Sequence, residues 1–377
     1  MSDPVTDIRI NFVHVTEKTI WIFVRLRTKS GFEGVGEATL GGYESAISTF
    51  LEGSRKWLIG YDSKNINGMA SRLQGRGGAA QAAARSGIEQ ALWDIQGKRA
   101  GMPIHALLGY ALRDSIPLYA NINRRTINRT PQGFVESALL ATANGHRILK
   151  IAPFDGLRFD DGWHAESAYR HGISCTRAVV EAVGSNVQVS VDCHWRLGGG
   201  LAERFLHEAA ELGLFWVECP LPETAASLDD LVRLHAVSQQ LHVRLAGLEQ
   251  GGNLQEFLPF LHRGIFDVIM PDVKWVGGIG PLRDIAATAD AHGIATSPHN
   301  PSGPVCHAAS LHLVSTMKRS FPLEHQFDES QLFFDLCPSQ IPLIDNGISA
   351  LPKGLGLGVT LDEGILKDTS IDPSKLI

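Results

Sequence analysis

Between residues 116 and 327 the chain alternates short apolar runs with amphipathic helical stretches, and it does so eight times. The runs are 116–122, 147–152, 187–192, 214–218, 243–246, 266–270, 294–297 and 322–327, with helical segments such as 201–212 and 282–291 between them. Strands separated by helices pair in parallel, because each crossover returns the chain to the same end of the sheet. Eight such units predict an α/β fold closed into a (β/α) barrel rather than an open doubly wound sheet.

The region before the barrel reads as α+β. A β-branched and aromatic run over 19–28, a Gly-containing turn over 29–34 and Val35-Gly36-Glu37-Ala38 predict a hairpin. The residues ahead of that run read as a polar opening. Residues 79–99, rich in Ala and with Ile88, Leu92 and Ile95 three and four apart, predict a helix with one buried face, stopped by Gly101 and Pro103. After Phe327 the chain reads as loop, with Pro338, Pro342, Pro352, Gly354, Gly356 and Gly358, and is expected to return to the N-terminal part. The expected division is 1–115 and 116–350, with 351–377 rejoining the first.

Composition excludes several function classes. A net charge of −6 without a Lys/Arg run gives no footing for nucleic acid or an anionic membrane surface. No apolar stretch is long enough to span a bilayer. The five cysteines have no CxxC spacing, which argues against a disulfide framework or a zinc knuckle and for a reducing cytoplasm.

Catalytic groups of a (β/α) barrel stand at the C-terminal ends of its strands. Here those positions hold Lys150, Asp192 with His194, Glu218, Glu249, Asp272, His299 and Glu324. Asp192, Glu218 and Glu249 on successive strand ends would repel one another unless a cation sat among them. All-oxygen ligation selects one Mg²⁺, or Mn²⁺ or Ca²⁺ in its place, over zinc. Asp272 and His299 on neighbouring strands can pair, the carboxylate orienting the imidazole as a base. Lys150 is either a second acid/base with a lowered pKa or a charge balance for the acids.

With these residues in place, the chain resembles the mandelate racemase subgroup of the enolase superfamily over nearly its whole length. Gly34-Val-Gly-Glu-Ala38, Ile88-Glu-Gln-Ala-Leu-Trp-Asp-Ile-Gln-Gly-Lys98 and Gly101-Met-Pro103 resemble that family's capping-domain signatures. Val191-Asp192, Val217-Glu218-Cys-Pro220, Ala246-Gly-Leu-Glu249 and Pro271-Asp-Val-Lys-Trp-Val-Gly-Gly-Ile279 stand where the family places its metal carboxylates and dyad aspartate.

The resemblance implies a modified TIM barrel with an α+β capping domain, and metal-stabilised removal of the proton beside a carboxylate to give an enediolate. It also implies that Glu324, protonated, hydrogen-bonds the substrate carboxylate, and that the chain forms a symmetric homo-oligomer. Asp192-Cys193-His194 and the stretch from Pro298 to Leu313 are similar to galactonate-type acid-sugar dehydratases. In those enzymes the histidine protonates a departing 3-hydroxyl, so that His299 or Lys150 would take the C2 proton and a 2-keto-3-deoxy acid would result. The substrate expected is thus a small carboxylate.

Two rivals are a racemase or epimerase using Lys150 and His299 on opposite faces of the α-carbon, and a binding module that keeps the barrel without the chemistry. The chain departs from the family at Leu248, where a glycine is usual, at Ala152, where a second basic residue is common, and in a longer segment over 154–172. Substrate choice is expected to depend on the loop around Gly41-Gly-Tyr-Glu44. Gly34-Val-Gly36 and Gly354-Leu-Gly-Leu-Gly358 lack the strand-turn-helix setting of a nucleotide loop. Lys274 is expected behind Asp272, and Cys193 and Cys219 as small packing residues.

Overall fold

Three N-terminal strands, β1 (Val5–Thr16), β2 (Thr19–Thr28) and β3 (Glu33–Glu37), pair antiparallel in that order. They come from a computed structural model that describes residues 1–72, 77–158, 164–338, 341 and 344–373. β1 occupies the stretch expected to be a polar opening. Its Val5, Ile8, Phe12 and Val13 are buried while Thr6, Arg9 and His14 face solvent, so the polar residues are one side of a half-buried strand. The helix Gly78–Ala100 lies across the sheet with Ile88, Leu92 and Ile95 in the shared core and ends at Gly101, which has φ 68°. Gly34 and Gly36 on β3 let the helix come close, because a Cβ at either would strike the backbone carbonyl of Ala91 or Gly87. That close approach is the use of the Gly34-Val-Gly36 pair.

The eight expected runs each overlap a strand: β4 (Ser115–Asn121), β5 (Ile148–Ile151), β6 (Gln188–Asp192), β7 (Val217–Glu218), β8 (Leu245–Gly247), β9 (Val268–Ile269), β10 (Ala295–Thr296) and β11 (Leu323–Gln326). Parallel ladders run unbroken from β4 to β10, and β11 pairs with β4 on its other side. The expected closure is incomplete. Between β10 and β11 there is a single bridge, Thr296 to Ser320, together with a bond from Phe321 N to the Thr296 carbonyl at 3.0 Å. Pro322 precedes β11 and has no N–H to extend that pairing; its carbonyl instead accepts from Ser297 Oγ at 2.6 Å.

The tail is more ordered than a loop. Strands β12 (Ile344–Asp345) and β13 (Ile348–Ala350) form a hairpin whose β13 pairs antiparallel with β4. Its turn is Asn346-Gly347, at φ 52° and 70°, the pair that two-residue hairpins favour. Of the residues read as loop markers, Pro342 lies outside the described residues, as do 159–163 of the 154–172 segment, which continues into the helix Ala165–Val183. Further on, Leu357 N donates to Asp94 of the N-terminal helix at 2.8 Å and Ile371 N to the Phe12 carbonyl of β1 at 2.8 Å. Among the described residues no helix is long and apolar enough to cross a membrane.

Candidate active site

Asp192 and Glu218 close β6 and β7, and Glu249 follows β8 by two residues, so the three carboxylates meet at one mouth of the sheet. One oxygen from each lies within 4.8 Å of the others, and all three residues are buried. The turns that aim them are strained: His194, Cys219 and Leu248, each next to or two residues from an acid, have φ of 44°, 45° and 72°. Non-glycine residues in that region cost of order 1–3 kcal/mol each, and such costs concentrate at functional sites. At Leu248 the turn takes a left-handed backbone that glycine would adopt freely, and this chain meets it with a buried leucine.

Lys150 enters this cluster from β5. Its Nζ is 2.6 Å from Glu218 Oε1, 2.9 Å from Glu324 Oε1 and 3.6 Å from Asp192 Oδ2. Burial alone would lower its pKa, but Glu218, Glu324 and Asp192 outweigh it and hold the ammonium well above its usual range. In this arrangement Lys150 is the counter-ion of Glu218, Glu324 and Asp192. Glu324 shares that ammonium. Despite burial, Lys150 and His299 hold its carboxyl down at about 2, and it accepts from Asn121 Nδ2 at 2.7 Å and Asn300 N at 2.8 Å. It is ion-paired with Lys150.

One shared ammonium does not neutralise this many acids. Burial and like charge push Glu218 up to about 8 and Glu249 upward, although Trp216 Nε1 donates to Glu218 at 2.9 Å. Glu249 Oε2 has no hydrogen-bond partner. A buried carboxylate oxygen without a donor, in a group of hard oxygen ligands of this spacing, fits a divalent cation such as Mg²⁺.

Across the mouth, Asp272 follows β9 and His299 follows β10. His299 Nδ1 bonds Asp272 Oδ2 at 2.9 Å, which leaves Nε2 facing the metal side, 3.4 Å from Glu249 Oε2. Lys274 donates its backbone N–H to Asp272 Oδ1 at 2.7 Å and its ammonium to Oδ2 at 2.8 Å, and also reaches Ser302 Oγ. Although burial works the other way, Lys274 and His299 hold Asp272 at about 2, so it is charged at any working pH. His299 is raised: the negative charges of Glu249, Glu324 and Asp272 overcome burial.

His194 stands between two carboxylates. Nε2 is 3.0 Å from Asp192 Oδ2 and Nδ1 is 2.6 Å from Asp155 Oδ1, and their charge raises its pKa well above the ordinary value against burial. Arg129 holds the other Asp155 oxygen at 2.8 Å. Asp155 escaped sequence reading because it lies in a loop after β5 with no strand end or motif to mark it. The cleft over these groups has a volume of about 1810 Å³ and is lined on its outer side by Thr16, Lys18, Gly41, Tyr43, Asn123 and Arg125. Cys193 and Cys219 are free and buried, and burial pushes both thiols up, as suits packing residues.

Residues 2–109 match the mandelate racemase / muconate lactonizing enzyme N-terminal domain, and residues 133–365 match the enolase C-terminal domain-like family. The chain belongs to the enolase superfamily. A D-xylonate dehydratase of Haloferax volcanii is 30% identical over 91% of this chain and 83% of its own length. A D-galactonate dehydratase of Xanthomonas euvesicatoria pv. vesicatoria is 29% identical over 94% and 92%. A mandelate racemase/muconate lactonizing enzyme from Sulfitobacter sp has the same fold with a TM-score of 0.87 at 25% identity, covering 98% of this chain and 96% of that one. The enolase-superfamily chain therefore aligns with these relatives along the N-terminal layer as well as the barrel.

Proposed function

We propose that the protein is an acid-sugar dehydratase, a hydro-lyase that converts a 2,3-dihydroxy carboxylate into a 2-keto-3-deoxy acid. Its relatives named for D-xylonate and D-galactonate dehydration support the reaction class. The observation that carries it is the pair of histidines: His299 held by Asp272, and His194 held between Asp155 and Asp192.

In this reading Asp192, Glu218 and Glu249 hold one Mg²⁺ per subunit, which when bound supplies positive charge against the negative charge that grows on the substrate carboxylate as its α-proton leaves. His299 takes the C2 proton on Nε2, while Asp272 keeps Nδ1–H in place and faces the charged ring. His194, kept protonated by two carboxylates, gives its proton to the 3-hydroxyl as the C3–O bond breaks, so that water departs. The resulting enol rearranges to the keto acid. Lys150 and Glu324 keep each other charged beside the acids, so Lys150 serves as charge balance rather than as a base. A charged Lys150 opposite His299 would also serve an epimerase, as the donor that returns a proton to the other face of C2, so the fate of C2 in deuterated water is what separates the two reactions.

The N-terminal layer acts as the capping domain, the division falls near residue 115, and the tail from 351 rejoins it. Its Gly41 and Tyr43 on the cleft wall would contact the far end of the substrate. The test is a screen of pentonates, hexonates and aldarates with Mg²⁺ in deuterated water, following keto acid and C2 exchange. Keto acid with solvent deuterium at C3 is expected; C2 exchange with an inverted centre and no keto acid would establish an epimerase instead.

A further inference from the structure

The helices that follow the two dyad strands begin without caps of their own. The helix Ile279–Ala291 has Gly278 at its N-cap and the helix Pro304–Thr316 has Gly303, and neither receives a side-chain bond from its cap residue. Each is capped instead by a buried carboxylate of the N-terminal layer. Glu89, on the helix Gly78–Ala100, accepts from Ile279 N at 2.7 Å and Gly280 N at 2.9 Å. Glu37, at the end of β3, accepts from Gly303 N at 2.7 Å and Cys306 N at 2.8 Å. Gly277 and Gly278, at φ 85° and 138°, lie under Arg85 and Glu89, where a side chain on either would collide.

The same face of the N-terminal helix holds the loop that leads out of Asp272. Ser86 Oγ donates to the Val273 carbonyl at 2.8 Å, and Arg85 donates to the carbonyls of Val276 at 2.6 Å and Gly277 at 3.2 Å. Glu37 anchors the end of the loop that begins at His299, four residues before Gly303. Lys274 then joins the two loops through Asp272 and Ser302.

We propose that Glu37 and Glu89 are positioning residues for proton removal: each supplies the missing cap of a barrel helix and thereby fixes the loop that carries one half of the Asp272–His299 pair. Each carboxyl group satisfies two backbone N–H groups that the helix itself leaves without acceptors. Because the supporting acids belong to the other layer, the alignment of the base depends on how that layer is seated. The inference rests on His299 acting as the base, but not on the later loss of hydroxide.

The test compares Glu37→Gln and Glu89→Gln with Asp94→Asn in the full chain with Mg²⁺. Asp94 is a control of the same kind, a buried acid that accepts from Val35 N and Leu357 N but touches neither dyad loop. C2 exchange in deuterated water, KM, Mg²⁺ affinity, melting temperature and amide exchange over 272–280 and 298–306 are measured on each. All three variants are expected to melt lower. Only the first two should lose kcat for C2 exchange, by about 10- to 100-fold as a misplaced base does, with KM and Mg²⁺ affinity within about threefold, and with faster amide exchange in the matching loop. Glu89→Asp and Glu37→Asp stand in if a glutamine variant does not fold.

Wild-type C2 exchange in both glutamine variants, or an equal loss of kcat in Asp94→Asn, overturns the inference. Exchange without keto acid in the wild type would sink the dehydratase reading and leave this test intact. With no exchange of any acid tried, the amide measurement decides: unchanged protection in both loops overturns the proposal.

Discussion

On the β9–β10 flank of the mouth both oxygens of Asp272 are satisfied by groups of the protein itself, whereas on the β6–β8 flank Asp192 and Glu218 share one ammonium with Glu324 of β11 and Glu249 Oε2 has no donor. The first flank is complete as an orienting device. The second is assembled from like charges in strained turns, an arrangement that a bound cation would relieve. A proton-abstracting site needs both: a base with fixed direction and a place where developing charge is stabilised.

Removing a ligand from the acid flank should have the largest effect. Glu249→Gln is expected to weaken Mg²⁺ binding in calorimetry and lower turnover by about 10³-fold or more, and full turnover would mean that the acids serve another purpose. His299→Asn, on the other flank, should cost about 10²- to 10⁴-fold in C2 exchange while Mg²⁺ affinity stays as in the wild type. Exchange near the wild-type rate would move the base role to Lys150. His194→Asn separates the two halves of the reaction: keto acid formation should fall by about 10²-fold with C2 exchange retained. Asp155→Asn, which leaves the imidazole in place but removes one charged partner, should cost about 10-fold in the same step.

The smallest effect concerns stability behind the β11 side of the mouth. His146, His307 and His325 lie in one buried cluster, with ring centroids of 6.1 Å and 5.6 Å to His325 and an unpartnered nitrogen on each. Burial lowers His146 and His307 to about 4 and holds His325 well below its usual value. The unfolded chain binds these protons near pH 6.5 and the folded chain does not, so stability is full above that pH and falls as pH drops toward 4. His146→Asn removes one such proton and should flatten the acid limb by about 1.4 kcal/mol per pH unit. An unchanged limb would show that the imidazole finds a partner when charged.

The same contrast marks what the sequence makes legible. Barrel strands are readable because each is a short apolar run, and strand ends then name Asp192, Glu218, Glu249, Asp272 and His299 without further information. β1 escapes because its buried residues are interleaved with charged ones, and the Asn346-Gly347 hairpin because its strands are only two and three residues long. Lys150 and Glu324 are located, but their pairing joins β5 to β11 and no local pattern announces it. Glu37 and Glu89 stand inside recognisable motifs, yet the backbone N–H groups of Gly303 and Ile279 that they accept from lie 266 and 190 residues later. No local pattern records such a partnership.

The most direct measurement is anomalous diffraction from crystals grown with Mn²⁺ in place of Mg²⁺. One peak per chain is expected, bonded to carboxylate oxygens of Asp192, Glu218 and Glu249, with His299 Nε2 facing it across the cleft. A peak elsewhere, or none at a manganese concentration that supports turnover, would contradict the account.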